Sequence, residues 1–408
     1  MRYSLSTCIA FLLLSTISFS QAGTETAGRI SPKELNIPPS PVFDLMGVTP
    51  AQINHTSDIK DFKVDWSFKS WKLNPNLAIQ SQPIWEMFYN RKDLHRYQDA
   101  SPFMRRLSTF DASIGSVQDE NNDRRIGFAF KLNLVKQKDP LMEKSLYTDI
   151  LERYAVEKKD LEKKIGELQK SLDTTKNILE KPGIRSQLAS TEEALLSVRK
   201  RQQEEINGRA KIFVEENWNA SWLDVSYGRI YTYKTDSAGS LTSLRLNRNT
   251  GRGSWINGGF GIGKKCLITG LFRITWYQEQ LDFSLKNKIT GEVTTAQSVA
   301  DNTLYSGGIN FRYGGAIYKF FAEFLYEQKG IKTPVQALSE SFKVPANDLE
   351  IVSSSVKWSV VHPYTFSMGG DWRISQGVII NYGMRFLFTK EWHFQTFTPV
   401  ATISCMMR

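Results

Sequence analysis

Charged residues recur on one face of several alternating segments in this 408-residue chain. Such segments place an apolar or aromatic residue at every second position and polar residues between them, as in residues 126–134. If the polar faces enclose a space, their charges either select ions or pair and neutralise each other. Eight basic and six acidic residues share these faces: Lys63, Lys69, Lys131, Arg273, Arg312, Lys319, Arg373 and Arg385, with Asp65, Glu86, Asp111, Asp224, Glu323 and Asp371.

Eleven members of this set are our candidate lining residues of a lumen. If a water path is open, the excess of two positive charges over the whole set favours anions. A mutually neutralised network that fills the lumen remains the alternative. The eleven candidates are Lys63, Asp65, Lys131, Asp224, Arg273, Arg312, Lys319, Glu323, Asp371, Arg373 and Arg385.

Other chemistry has weak support in the sequence. Neither His362 nor His393 has a Ser or Asp at a recognisable motif spacing, so we predict no enzyme activity and no catalytic residue. The glycines of 259–265 lack phosphate-loop spacing, and Cys266 and Cys405 suggest two free thiols. We therefore expect no cofactor and no metal.

The alternating segments have the length and polarity of membrane-crossing strands. They run for about 10 to 13 residues, which suits a tilted strand in a bilayer better than a soluble sandwich. Their apolar faces are rich in aromatic residues, and their polar faces carry glycine and charge, as in residues 364–373 and 380–388. This polarity predicts apolar residues toward lipid and polar residues toward a lumen.

The start of the chain predicts export. Residues 1–22 combine a short basic start, an apolar core from Cys8 to Phe19 and small residues at Ser20 and Ala22, which is typical of a cleaved signal peptide. The formal net charge is +10, which we interpret as a weak preference for anions, because an exported protein rarely meets nucleic acid. We expect no nucleic-acid partner.

A helical segment interrupts the strands between 139 and 211. Leu161, Ile165, Leu168, Leu172, Thr175 and Leu179 follow a four-three spacing, and so do Ile184, Leu188, Thr191, Leu195 and Val198. The pattern predicts a coiled-coil hairpin whose arms join at Pro182-Gly183, with a first arm of about 40 residues, about 60 Å long. We expect it to be a periplasmic arm that docks a periplasmic or cell-wall protein.

Loop lengths predict an up-and-down barrel of about twelve strands in residues 61–136 and 217–408. Bacterial barrels have short periplasmic turns and long outer loops, which the connections after residue 254 match if the helical segment is periplasmic. The loops expected outside are 236–252, 279–302 and 328–361. The predicted strands are 62–71, 77–88, 106–117, 125–135, 217–233, 254–263, 266–278, 303–313, 316–327, 363–374, 378–388 and 395–404.

These features resemble Gram-negative outer-membrane β-barrel proteins of the porin-like type, over about 62–136 and 217–404. The resemblance implies an all-β transmembrane barrel in contact with outer-membrane lipid. Residues 23–60 are expected to form an extended periplasmic segment, although the proline-rich part 37–45 could instead enter the lumen. Two functions remain open: a channel for small polar or anionic solutes with a docking arm, or a non-conducting anchor or assembly component of a larger envelope complex.

Overall fold

Twelve antiparallel strands close into a barrel. The computed structural model describes residues 38–55, 62–69, 76–89, 94–118, 124–175, 177, 179–233, 248–331, 349–354, 360, 362–375 and 377–407. The predicted signal peptide, 1–22, lies outside the described residues. Each barrel strand pairs with the barrel strands before and after it in the chain, and β1 pairs with β13 to close the ring. β10 is not part of the ring. The strands are β1 Phe62–Lys69, β2 Asn76–Ser81, β3 Asp111–Gln118, β4 Arg124–Lys136, β5 Trp222–Tyr233, β6 Arg248–Ile262, β7 Cys266–Asn287, β8 Val293–Gly314, β9 Tyr318–Ile331, β10 Leu349–Ser354, β11 Tyr364–Ser375, β12 Val378–Phe388 and β13 Phe394–Met407.

The strands present their apolar residues outward and their polar residues inward. In β12, for example, Asn381 and Arg385 are buried while Met384 between them is exposed. Exposed apolar side chains recur around the outside, among them Ile114, Ile256, Phe272, Ile309, Phe320, Met368 and Phe397. No helix in the described ranges is both long and apolar enough to cross a membrane. The predicted fold class and the number of barrel strands, about twelve, are confirmed.

Two predicted strands are shorter than expected. Strand 77–88 ends at Ser81, and the chain turns into helix α2, Pro83–Tyr89. Strand 106–117 begins only at Asp111, after α3, Leu94–Asp99, and α4, Pro102–Leu107. Pro83 and Pro102 each begin a helix, because proline is favoured in the first helical turn. These helices have only six or seven residues, and apolar runs of that length fit the strand period as well as the helical one.

The predicted outer loops contain more strand than expected. β7 and β8 each have 22 residues, and their pairing extends to Lys286 and Val293. A bilayer needs only about 9–11 residues per strand. The predicted loop 279–302 is therefore largely a two-stranded extension. β10 adds a third strand by pairing with the end of β7, within the predicted loop 328–361.

Two long helices form the inserted segment between β4 and β5. They are α5, Thr148–Thr174, and α6, Lys181–Glu216. Their ion pairs link Asp149 with Arg209 and Arg153 with Glu205, so the helices are antiparallel. At 1.5 Å per residue the arms are about 40 and 54 Å long, so the first is shorter than the predicted 60 Å.

The turn of this helical hairpin also differs from the prediction. Pro182 and Gly183 lie in the first turn of α6 and do not form the connection. Proline is tolerated there because the first helical N–H groups have no intrahelical partner. Leu179, predicted in the seam between the arms, lies before α6 and is 89% exposed. Thr191, Leu195 and Val198 of the predicted seam are buried.

The base of the hairpin packs on the short helices of the β2–β3 connection. Both insertions leave the barrel at the end that also carries the short turns after β6, β8 and β11. Tyr97 Oη donates a hydrogen bond to Asp139 at 2.9 Å, and Gln98 donates one to the Leu141 carbonyl at 2.8 Å. We call the joint apolar core the base cluster; it contains Trp85, Tyr89, Tyr97, Leu141, Tyr147, Ile150, Ile206 and Ala210.

Candidate functional site: a plugged lumen

Residues 38–55, which we call the plug, lie inside the barrel. The plug forms hydrogen bonds with strands all around the cylinder: β1 through Asp65, β3 through Ser113, β9 through Glu323 and β12 through Arg385. Only a segment within the lumen can reach strands on every side of a closed barrel. The sequence left 37–45 open between periplasm and lumen, and the periplasmic assignment is wrong for residues 38–55.

The plug contains a short helix, α1, Pro41–Met46, that packs on a glycine wall. Glycines occupy inward positions on β3 to β6. A Cβ atom at these positions would collide with the apolar side chains of α1. Such a Cβ would lie 2.9 Å from Val42 Cγ1 at Gly115, 2.6 Å from Met46 Cε at Gly127, 2.7 Å from Leu45 Cδ2 at Gly228 and 2.6 Å from Leu45 Cδ1 at Gly253. These contacts are closer than real Cβ atoms allow, so the glycines make the space that α1 fills.

Arginines on β7, β8 and β12 hold the plug backbone. Arg385 donates to the carbonyls of Gly47, at 3.2 Å, and Thr49, at 2.6 Å. Arg312 donates to the Ile53 carbonyl at 3.1 Å and also pairs with Asp371. Arg273 donates to the Asp44 carbonyl at 3.2 Å and to Gln52 Oε1 at 2.7 Å. The guanidinium groups thus satisfy carbonyls of a chain that has no strand partner.

The carboxylate of Glu323 accepts hydrogen bonds from backbone N–H groups in the same part of the plug. Glu323 Oε1 accepts the backbone N–H of Gln52, and Oε2 accepts that of Ile53, both at 2.9 Å. Asn310 donates a third hydrogen bond to Oε2 at 3.1 Å. Charged acceptors of backbone N–H groups make stronger hydrogen bonds than neutral ones. Glu323 therefore fixes the part of the plug that contains Gln52 and Ile53.

Two ion-pair groups complete the wall. Lys63 lies 2.9 Å from Asp65 and donates to the Pro38 carbonyl at 2.5 Å, while Asp65 accepts from Ser40. Lys131 Nζ lies 3.2 Å from Asp111 and 4.0 Å from Asp224, on the strands to either side. The first group holds the entry of the plug, and the second neutralises charge across three adjacent strands.

The structure places all eleven candidate lining residues on the inward faces of their strands. Asp371 and Arg373 are partly exposed, and the other nine are buried. Six of the eleven form direct hydrogen bonds with the plug: Lys63, Asp65, Arg273, Arg312, Glu323 and Arg385. Of the wider set, Glu86 is on α2 and not on a barrel strand.

The chain that follows α6 covers the end of the barrel where the plug leaves it. Trp218 donates to the Lys264 carbonyl at 3.0 Å, and its ring lies 5.0 Å from Lys319 Nζ. The ring centroid of Trp222 lies 5.6 Å from that of His55, the last described residue of the plug. The alternating glycines of 259–263 make room here: a Cβ at Gly259 would meet the Trp222 indole at 2.3 Å. Helical hairpin, plug and barrel therefore meet at one mouth.

Space beside the plug is small. A cavity of about 20 Å³ lies between the plug and the far wall, lined among others by Pro38, His55, Arg312 and Asn381. A second of about 20 Å³ lies at the mouth beside Trp218 and Trp222. Each volume accommodates about one water molecule. Among the described residues, these two cavities beside the plug are therefore too small for a solute larger than water.

Sequence reasoning found the charged wall because charge alternates visibly along the strands. It missed the occupant, because the plug's contacts are made mainly by backbone groups that every sequence possesses. A signal for the apolar half did exist. Gly115, Gly127, Gly228 and Gly253 are inward positions on four consecutive strands, and this marks a close approach by another segment.

Comparison with known proteins identifies no family. No family model matches the chain, and no curated protein matches it. Among solved structures, it is similar to the NanC porin at 7% identity and a TM-score of 0.32, covering 85% of this chain and 99% of that one. The translocator domain of the autotransporter NalP from Neisseria meningitidis matches at 8% identity and 0.29, covering 85% and 89%. OprB from Pseudomonas putida matches at 6% and 0.21, covering 85% and 93%.

The architecture itself defines the environment of the chain. A closed barrel leaves no strand edge unpaired, which is the condition for a β-sheet to cross a bilayer. Its inward faces are polar, and its outward faces carry exposed Ile, Phe and Met residues. Barrels with this pattern occupy the outer membranes of Gram-negative bacteria. The chain is an outer-membrane β-barrel.

Proposed function

We propose that this protein is an outer-membrane channel for small polar or anionic solutes, closed by its own plug. The observation that carries the proposal is the bonding of Arg385, Arg312 and Arg273 to plug carbonyls. These arginines face the lumen, and each of them has donors occupied by the plug. When the plug leaves, the same donors face water and any solute that enters.

The charge of the wall supports a preference for anions. Seven of the candidate lining residues are basic and four are acidic, and Asp111 brings the acidic number to five. Among these twelve residues the excess is two positive charges, and Glu327, 3.5 Å from Arg273, is a further carboxylate in the lumen. Lys131, Arg273 and Arg312 each pair with carboxylates of the wall. Arg385 would lose both of the hydrogen bonds that it donates to the plug. Fixed positive charge in a narrow, low-dielectric pore raises the local concentration of anions.

Reversal potentials test the selectivity. A variant without residues 38–55 is incorporated in planar bilayers under a KCl gradient. We expect a reversal potential of the sign given by chloride permeation, and the substitution Arg385→Gln should shift it toward zero. Arg252→Gln is the matched control, because Arg252 is exposed on the outward face of β6. A cation-selective pore would contradict the proposed solute class.

A second function is supported by the helical hairpin. A solute pore does not require two helices of about 40 and 54 Å beyond the barrel, and the plug occupies part of the lumen. In this alternative the barrel is a non-conducting anchor or assembly component, and the hairpin binds a periplasmic or cell-wall protein. Exposed apolar residues on the hairpin, Val156, Leu196 and Ile212, are the candidate contact surface.

Cysteine labelling tests the periplasmic side that both functions assume for the hairpin. Ser186 is exposed on α6, and Thr290 is exposed in the turn between β7 and β8 at the opposite end. With Cys266 and Cys405 changed to Ser, a cysteine at Thr290 should react with a membrane-impermeant maleimide on intact cells. One at Ser186 should be protected until the outer membrane is permeabilised. The reverse result would place the hairpin outside the cell.

A further inference from the structure

A groove on the outside of the barrel lies between α4 and the end of β4. Its volume is about 280 Å³, much larger than the cavities beside the plug. Three cationic side chains line it: Arg105 and Arg106 from α4 and Lys136 from β4. Leu134, Val135 and Met142 supply its apolar wall.

The charge of the groove is positive. Its one carboxylate, Asp139, already accepts hydrogen bonds from Tyr97 Oη at 2.9 Å and from the Leu141 N–H at 3.0 Å. Burial and this carboxylate raise the pKa of Tyr97 well above its ordinary value, so the phenol stays protonated and remains a donor to Asp139. Arg105 Nη1 contacts the Met142 sulfur at 3.2 Å, a weak acceptor that does not neutralise a guanidinium. Three cations against one carboxylate leave a net charge of +2.

The groove borders the lipid-facing surface. Val135 pairs with Leu223 on the outward side of the sheet and is 47% exposed. Phe130 precedes Val135 on the outward face of β4 and stacks on Phe110, with ring centroids 5.5 Å apart. Phe103, on α4 beside the groove, is 71% exposed. Cations next to exposed aromatic residues at the edge of an apolar belt are typical of the headgroup level of a membrane.

We propose that this groove binds the phosphate headgroup of an anionic phospholipid from the adjoining leaflet. Arg105 and Arg106 present planar guanidinium groups that match phosphate oxygens. The acyl chains lie on Val135 and Phe130, in continuity with the belt that already contacts lipid. The lipid thereby fastens the β2–β3 connection, and with it the base cluster, to the membrane. This inference depends on the membrane location of the barrel and not on whether its lumen conducts.

Lipid quenching tests the site in the full-length protein. Pro102 is exposed and lines the groove, so Pro102→Cys, in a background with Cys266→Ser and Cys405→Ser, carries a bimane probe. The folded protein is titrated in neutral micelles with brominated phosphatidylglycerol or brominated phosphatidylcholine. We expect about fivefold tighter quenching by the anionic lipid, and about the same quenching by both lipids in Arg105→Gln/Arg106→Gln. Arg185→Gln/Lys200→Gln, which removes the same charge from exposed sites on α6, should keep the preference.

Each other outcome contradicts the inference. Equal quenching by both lipids in the parent protein means that the groove does not recognise the headgroup. Loss of the preference in the α6 control means that only the overall charge matters. Competition by millimolar inorganic phosphate assigns the groove to a small free anion. If the double variant does not fold, Arg106→Gln alone, at an exposed position, must weaken the preference, while Arg105→Lys/Arg106→Lys must retain part of it.

Discussion

Arg385 Nη2 donates a hydrogen bond to the Thr49 carbonyl at 2.6 Å, joining β12 to the part of the plug that follows Gly47. The same guanidinium donates to Gly47 at 3.2 Å, so one side chain spans the bend of the plug. Gly47 itself has a φ of +69°, in the left-handed region that favours glycine, and it ends α1. The charged wall thus holds the plug at the point where the chain reverses.

The first prediction concerns this contact. Arg385→Gln should loosen the plug, because two charge-assisted hydrogen bonds are lost, each worth about 1.5–3 kcal/mol. Val48, which is buried, is changed to Cys as a reporter in a background with Cys266→Ser and Cys405→Ser. Maleimide labelling of folded protein in micelles should accelerate by tenfold or more. The outward-facing control Arg252→Gln should label at the parent rate, and an unchanged rate in Arg385→Gln would show that the contact does not retain the plug.

The second prediction concerns the glycine wall. Gly253→Ala should displace the plug, because the new Cβ would lie 2.6 Å from Leu45 Cδ1 while its next contact is at 3.4 Å. Overpacking of this kind costs about 1–3 kcal/mol, and it should raise labelling of the same Val48→Cys reporter. Leu45→Ala in the same chain should restore protection. Gly251→Ala, on the same strand with no contact closer than 3.4 Å, is the control. Failure of Leu45→Ala to rescue would place the effect in the strand.

The third prediction concerns the two insertions at the mouth. Removing 141–208 alone takes Leu141, Tyr147, Ile150 and Ile206 from the base cluster, and Trp85, Tyr89 and Tyr97 would lose their cover. This variant should fold with a lower yield and bind a hydrophobic dye. Replacing 83–107 with a short linker as well should recover the heat-modifiable mobility of a folded barrel on gels. If the single deletion folds as well as the parent, the cluster is not a shared core.

The fourth prediction concerns pH and the helical hairpin. Hydrogen bonds from Arg209, at 2.6 Å to each carboxylate oxygen, lower the pKa of Asp149 below its ordinary value. A carboxyl group with a lower pKa in the folded state stabilises the fold at pH values above its pKa in the unfolded state. This contribution is lost as the pH falls through the pKa of the folded state. Asp149→Asn should therefore reduce hydrogen-exchange protection at the start of α5 at pH 7, and its difference from the parent should shrink as the pH falls. Asp173→Asn, at the exposed other end of α5, should match the parent throughout.

Much of the barrel could be predicted from the sequence, since alternation fixes which face of each strand meets lipid. The inward positions of Lys131, Arg312 and Arg385 follow from period two alone. The occupant of the lumen could not be predicted that way. Its anchor points are the carbonyls of Gly47, Thr49 and Ile53, which have no side-chain signature, and its helix has only six residues. The proline-initiated helices after Ser81 were missed because short apolar runs fit both periods.

Single-channel recording of the parent protein beside a variant without residues 38–55 tests the central claim that the plug closes a conducting barrel. Both proteins must first show the heat-modifiable mobility of a folded barrel. We predict that the parent gives no steady current in planar bilayers, while the variant gives stable ohmic openings. Equal conductance in the two proteins would show that the plug does not close the lumen. Silence in both would contradict the channel and leave the anchor function.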